Sequence, residues 1–64
     1  MEEIKYNYEY DIKLICDTGR EYLYTIEADY DDDAIAVATE FLYDDYPYEI
    51  VTATEIIERR KLDE

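Results

Sequence analysis

The sequence predicts an α+β domain of ββαβ order: a three-stranded antiparallel sheet, strand order 2-1-3, with one helix packed on one face. Three observations carry this expectation. Two stretches alternate apolar and polar residues with a period of two, the one glycine of the chain lies between them, and a run at helical spacing stands between an acidic segment and the one proline.

From Tyr6 to Cys16 the even positions are Tyr6, Tyr8, Tyr10, Ile12, Leu14 and Cys16, whereas Asn7, Glu9, Asp11 and Lys13 fill the odd ones until Ile15. Alternation of this length describes a strand with one buried face. Asp17-Thr18-Gly19-Arg20 follows, with Gly19 placed for the left-handed conformation that closes a short hairpin loop. Tyr22, Tyr24, Ile26 and Ala28 then alternate with Glu21, Leu23, Thr25 and Glu27, which gives a second strand antiparallel to the first. Tyr6, Tyr8, Tyr10, Tyr22 and Tyr24 are expected on the core side of this sheet.

Asp29-Tyr30-Asp31-Asp32-Asp33 precedes an alanine-rich run. Acids there are suited to cap a helix and to sit at the positive end of its dipole. Ala34, Val37, Ala38, Phe41 and Leu42, with Ile35 beside them, form one broad helical face. The helix is expected to stop near Asp45 or Tyr46, because Pro47 disfavours helical geometry in the residue before it. Tyr48 to Ile57 reads as the third strand, and its apolar residues fall on both parities, which suggests a bulge or a strand covered on both faces. Glu58-Arg59-Arg60-Lys61 and the acidic end, residues 58–64, read as a frayed tail.

A right-handed crossover carries the third strand to the free edge of the first. The face away from the helix is then left open, with Glu9, Asp11, Lys13, Glu21 and Glu27 around Ile15 and Leu23, together with Val51 and Ile57. An apolar centre inside an acidic rim suits contact with a second copy, so a homodimer is expected.

Sixty-four residues allow one folding unit and one core. Six Lys and Arg against nineteen Asp and Glu give a net charge of −13. That balance excludes the usual basic nucleic-acid binder and attraction to anionic membranes. Disorder is not expected, because 48% of the residues are apolar or aromatic and nine are Tyr. With a single cysteine and no histidine, an internal disulfide and a structural zinc site are both excluded, and Cys16 reads as a small buried hydrophobe. The acidic start Met1-Glu2-Glu3-Ile4-Lys5 lacks the apolar core of an export signal, and no stretch is apolar enough to span a bilayer. The expected location is the cytoplasm.

No enzyme is expected. The chain has no His, no Ser and no Trp, and its one Cys has no activating partner in sequence. No cofactor or resident metal is expected either. Asp29, Asp31, Asp33 and Glu40 stand at positions 1, 3, 5 and 12 of an EF-hand loop, but position 6 needs Gly and holds Ala34, and the residues between are strongly helical.

The acids themselves are the larger signal. Helix capping accounts for those around Asp31, whereas Glu40, Asp44 and Asp45 lie toward the negative end of the same dipole, where an acid costs ~0.3–1 kcal/mol. A departure from a local rule is where a functional demand is expected. Along a strand, carboxylates at i and i+2 stand ~6.6–6.8 Å apart, close to two axial steps of one DNA strand. Candidate partner-binding residues are therefore Asp29, Asp31, Asp32, Asp33, Glu40, Asp44, Asp45 and Glu49, with Tyr30, Tyr43, Tyr46 and Tyr48 supplying rigid amphipathic contact area beside them.

In these features, and above all in the runs Asp29-Tyr30-Asp31-Asp32-Asp33 and Tyr43-Asp44-Asp45-Tyr46, the chain resembles the small acidic DNA-mimic proteins of bacteriophages. Within that group, size and charge are most similar to phage inhibitors of the nucleoid protein HU. The resemblance implies a dimer in the host cytoplasm whose acids engage the DNA-binding surface of HU and displace DNA. Anti-CRISPR, anti-restriction and uracil-DNA glycosylase inhibitors are the rival readings within the same logic. Outside it stands an acidic protein-interaction module whose charge serves solubility. Arg59, Arg60 and Lys61 oppose mimicry locally and read as part of the solvated tail.

Overall fold

The computed structural model describes residues 6–62; the expectations placed on Met1–Lys5 and on the last two residues of the tail lie outside them. The element order is β1 (Tyr8–Cys16), β2 (Glu21–Ala28), α1 (Asp31–Asp45) and β3 (Val51–Lys61). The sheet is antiparallel throughout, in the order β2-β1-β3. This is the predicted ββαβ architecture.

The β1–β2 hairpin follows from the alternation. Tyr10 stands opposite Ile26, Ile12 opposite Tyr24 and Leu14 opposite Tyr22. Gly19 closes the turn with φ +90°, the left-handed region that a side chain makes costly, and its N–H donates to the Cys16 carbonyl at 2.9 Å. No neighbouring atom lies within 4 Å of where a Cβ would be, so the requirement at Gly19 is conformational and not steric. Tyr6 lies before β1 and is exposed, outside the core where alternation had placed it.

The core forms where α1 crosses the even face of the sheet. Ala34, Ala38 and Leu42, at successive i+4 positions, are buried against Tyr10, Ile12, Leu14, Cys16, Ile26 and Ala28. The small side chains of the two alanines suit close approach of the helix backbone to the sheet, and Leu42 is the largest fully buried side chain of the helix. Ile35 and Val37 are half-buried at the margins, while Phe41 is exposed and meets Tyr24 with ring centroids 6.3 Å apart. The apolar stripe is thus narrower than the sequence pattern. Burial holds the Cys16 thiol above its ordinary pKa, so it is an inert apolar group here.

β3 departs from expectation in both position and length. It begins at Val51 instead of Tyr48 and continues through Glu58, Arg59, Arg60 and Lys61, the segment read as a frayed tail. Two register irregularities explain its mixed parity. The Cα partners change from Ile15↔Ala53 to Cys16↔Val51 and from Asp11↔Glu58 to Ile12↔Ile56, leaving Thr52 and Ile57 as the additional residues. Val51 and Ile56 consequently pack against the core beneath α1, so Val51 does not belong to the open face.

Charge holds the far end of β3. Arg60 lies opposite Glu9 and reaches two carboxylates: its Nε and Nη2 donate to Glu9 at 3.0 and 2.7 Å, and Nη1 and Nη2 donate to Asp11 at 3.0 and 3.1 Å. The Glu58 carboxylate lies 3.1 Å from the same guanidinium. Bidentate geometry of this kind is where an ion pair is strongest. Lys13, further along the same face, lies 3.6 Å from Glu21 and 3.7 Å from Glu55, joining all three strands.

A chain ending after Ile57 is therefore expected to melt more than about 10 °C below the full chain by circular dichroism, because it loses the end of an edge strand and the Arg60 clamp together. A frayed tail would leave the midpoint unchanged.

Candidate functional site

α1 carries Asp31, Asp32, Asp33, Glu40, Asp44 and Asp45 and no Lys or Arg. All six acids are exposed. The three in the first turn lie at the positive end of the helix dipole, where each is favourable by ~0.3–1 kcal/mol. None of them caps the helix: the N-cap is Tyr30, in extended conformation and without a side-chain capping bond. Asp29 does not cap either. Its Oδ1 accepts the Asn7 backbone N–H at 2.9 Å, which ties the start of β1 to the β2–α1 junction.

At the other end no base faces Asp44 and Asp45 from the last turn. Asp45 has one local role, accepting the Tyr24 hydroxyl at 3.2 Å. Burial, then this carboxylate, pushes the Tyr24 phenol up to about 12, so it remains a neutral donor. Glu40 and Asp44 make no ion pair or hydrogen bond among the described residues, and the fold supplies no reason for either. With a rise of 1.5 Å per residue, the two acidic ends stand about 21 Å apart, roughly six axial steps of one DNA strand.

The candidate tyrosines divide. Tyr30 is 70% exposed beside Asp29 and Asp31, and Tyr48 is 95% exposed in the α1–β3 connection. Tyr46 keeps one face on Tyr22, with centroids 4.8 Å apart. The Tyr43 hydroxyl oxygen accepts the Val51 N–H at 3.3 Å, so this ring also anchors the start of β3.

Glu49 is the correction among the candidates. It is 8% exposed, and its carboxylate accepts the Tyr22 hydroxyl at 2.8 Å, the Thr18 hydroxyl at 3.2 Å and Arg20 Nη1 at 3.4 Å. It locks the α1–β3 connection onto the β1–β2 turn and presents nothing to a partner. The strand acids with phosphate-like spacing, Glu9 and Asp11, are likewise engaged by Arg60. The acids without an ion pair among the described residues are thus mostly on the helix and at its ends, with Glu27 on β2 and Asp17 in the β1–β2 turn as the exceptions, and Asp31 lies 3.7 Å from Arg59.

Asp29, Asp31 and Asp33 gather at one pole around two hollows. One, of about 500 Å³, has Tyr8, Tyr10 and Tyr30 in its lining with Asp29, Asp31 and Arg59. The other, of about 280 Å³, includes Tyr6, Val37, Glu27, Asp29 and Asp33. Sequence reading missed Tyr8, Tyr10 and Arg59 here, because two were placed in the core and one in a tail. Asp31, Asp33 and Glu40 belong to one continuous helix, so the loop an EF-hand requires is not formed, and no group of three or more metal-binding side chains converges among the described residues. Among the described residues no helix is long and apolar enough to cross a membrane. No family model, curated protein or solved structure matches this chain.

Two carboxyls have pKa values held below their ordinary range: Glu49, chiefly by the Tyr22 hydroxyl, and Asp11, chiefly by Arg60. A lowered folded-state value means that their stabilisation is complete above the unfolded carboxyl range and is lost as pH falls through the folded value. Urea midpoints should therefore fall as pH drops below about 4, and Glu49→Gln should flatten that fall while lowering the midpoint at pH 7.

Proposed function

We propose that this chain is a nucleic-acid decoy, an acidic protein that occupies the DNA-binding surface of a basic host protein and excludes DNA from it. The observation that carries the reading is the division of charge. The cations Lys13, Arg20 and Arg60 pair with acids of the sheet and its turns, whereas α1 has six exposed acids and no base of its own, and among the described residues Asp31 alone of the six has an ion-pair partner, Arg59 at 3.7 Å. A surface of one sign steers an oppositely charged partner and gains from the release of the counterions held by both.

The partner class is a basic DNA-binding protein, with the nucleoid protein HU as first choice on the resemblance to phage decoys; anti-CRISPR, anti-restriction and glycosylase targets follow the same physics. The acting residues are Asp31, Asp32, Asp33, Glu40, Asp44 and Asp45, with Asp29 and Tyr30 at one end and Tyr46 and Tyr48 at the other. The host cytoplasm is the place of action. A second copy belongs on the open sheet face, where Leu23 is 64% exposed beside the Lys13 and Arg60 networks.

The test is competition between this chain and duplex DNA for purified HU. The native chain should displace DNA at low salt and lose at least about tenfold in affinity between ~50 and ~200 mM salt. Replacing Asp31, Asp33, Asp44 and Asp45 together by Asn should abolish displacement with the circular dichroism spectrum unchanged. Displacement that survives the replacement would remove the helix from the mechanism, and binding indifferent to salt would favour an apolar interaction module.

A further inference from the structure

The larger hollow at the acidic pole already holds a guanidinium. Arg59, from the end of β3, lies over the ring of Tyr8 with its central carbon 4.8 Å from the centroid, and its Nη1 is 3.7 Å from Asp31 Oδ1. Beneath this pair is Tyr10, a fully buried residue whose hydroxyl has no hydrogen-bond partner among the described residues. Asp31 and Arg59 are the charged groups close enough to perturb that phenol; burial first, and then Asp31, raise its pKa, so it stays neutral. Asp29, at the same rim, uses Oδ1 for the Asn7 N–H.

Arg59 is held far more loosely than its neighbour. Arg60 makes four hydrogen bonds of 2.7–3.1 Å to Glu9 and Asp11. Arg59 has a single carboxylate at 3.7 Å, and both side chains of that pair are half exposed. An ion pair of this kind is worth little and opens readily. Once Arg59 turns outward, the hollow retains two carboxylates, a phenol oxygen and the faces of Tyr8 and Tyr30. Several acceptors between aromatic walls match a planar fork of five N–H donors better than they match a compact ammonium.

We propose that this hollow is a receptor for an arginine side chain of the basic partner, and that Arg59 is an internal stand-in which the incoming guanidinium displaces. The inference rests on the decoy reading for its partner and adds a discrete anchoring point to a surface otherwise defined by charge. Tyr10 supplies the hydrogen-bonding group at the base, Asp29 and Asp31 the countercharge, and Tyr8 and Tyr30 the stacking surfaces.

The test is a titration of the full chain with N-acetyl-arginine amide, followed by backbone amide NMR, with N-acetyl-citrulline amide as the uncharged probe of matching shape. The arginine probe should give saturable shifts centred on Tyr8, Tyr10 and residues 29–31, and the citrulline probe none. Tyr10→Phe should weaken binding about fivefold, the worth of one hydrogen bond, without lowering the melting temperature. Arg59→Gln should tighten binding severalfold, whereas Lys61→Gln, the same charge change two residues along the strand, should not. Equal effects of Arg59→Gln and Lys61→Gln, native binding by Tyr10→Phe, or shifts as large at Asp44 and Asp45 as at residues 29–31 would each overturn the receptor. Displacement of DNA from HU by the native chain is read separately: if it persists while the receptor fails, the decoy reading stands without it, and if it fails too, both fall.

Discussion

The structure depends on where a few positive charges are placed among many negative ones. Arg60 gathers Glu9, Asp11 and Glu58 on the open face of the sheet, and Lys13 bridges Glu21 and Glu55 a few residues away. Both cations lie on strands whose acids would otherwise face one another across the sheet, where like charges directly opposite are destabilising. Glu9 stands opposite Glu27 and Asp11 opposite Glu58, so the register itself creates the repulsion that Arg60 relieves. With the sheet's facing acids paired in this way, the largest group of acids without an ion pair among the described residues, Asp32, Asp33, Glu40, Asp44 and Asp45, stands on α1. That helix is fastened to the sheet by Ala34, Ala38 and Leu42; of its acids Asp45 and Asp31 reach Tyr24 and Arg59, and Glu40 and Asp44 make no hydrogen bond or ion pair among the described residues.

Much of this was legible in the chain. Tyr8 to Cys16 and Tyr22 to Ala28 alternate, with Ile15 and Leu23 as the exceptions, because each strand has one face under the helix, and Gly19 marks the turn because a residue with a side chain would adopt its backbone conformation only at a cost. The helix was readable from its spacing, and the strand order followed from the handedness of the crossover. β3 was harder to read, because its additional residues at Thr52 and Ile57 each shift the parity, and no local pattern registers a bulge that the partner strand imposes. Its charged end looked like a tail because apolar periodicity does not detect a strand held by ion pairs.

The candidate site was legible in composition and less so in detail. Asp31–Asp33 and Asp44–Asp45 stand exposed as their sequence suggested, but the sequence did not distinguish them from Glu49, an acid of the same type turned inward. What separates them is the set of donors that the turn brings to Glu49, Thr18, Arg20 and Tyr22, all more than twenty-five residues away along the chain. Arg59 was concealed for a related reason: its meaning comes from Tyr8, Tyr10 and Asp31, which only the antiparallel pairing of β3 with β1 brings beside it.

If the acids toward the end of α1 serve recognition and not folding, they should be a burden on the free protein, as surfaces kept for binding often are. The direct measurement is a urea titration at low salt of the chain in which Glu40 is replaced by Gln and Asp44 by Asn, read against the native chain. The account predicts a midpoint equal to or above the native one, since two like charges are removed from the negative half of a helix dipole and no partner is lost. A clearly lower midpoint would mean that the fold itself requires these carboxylates, and the division of charge would no longer point to a partner.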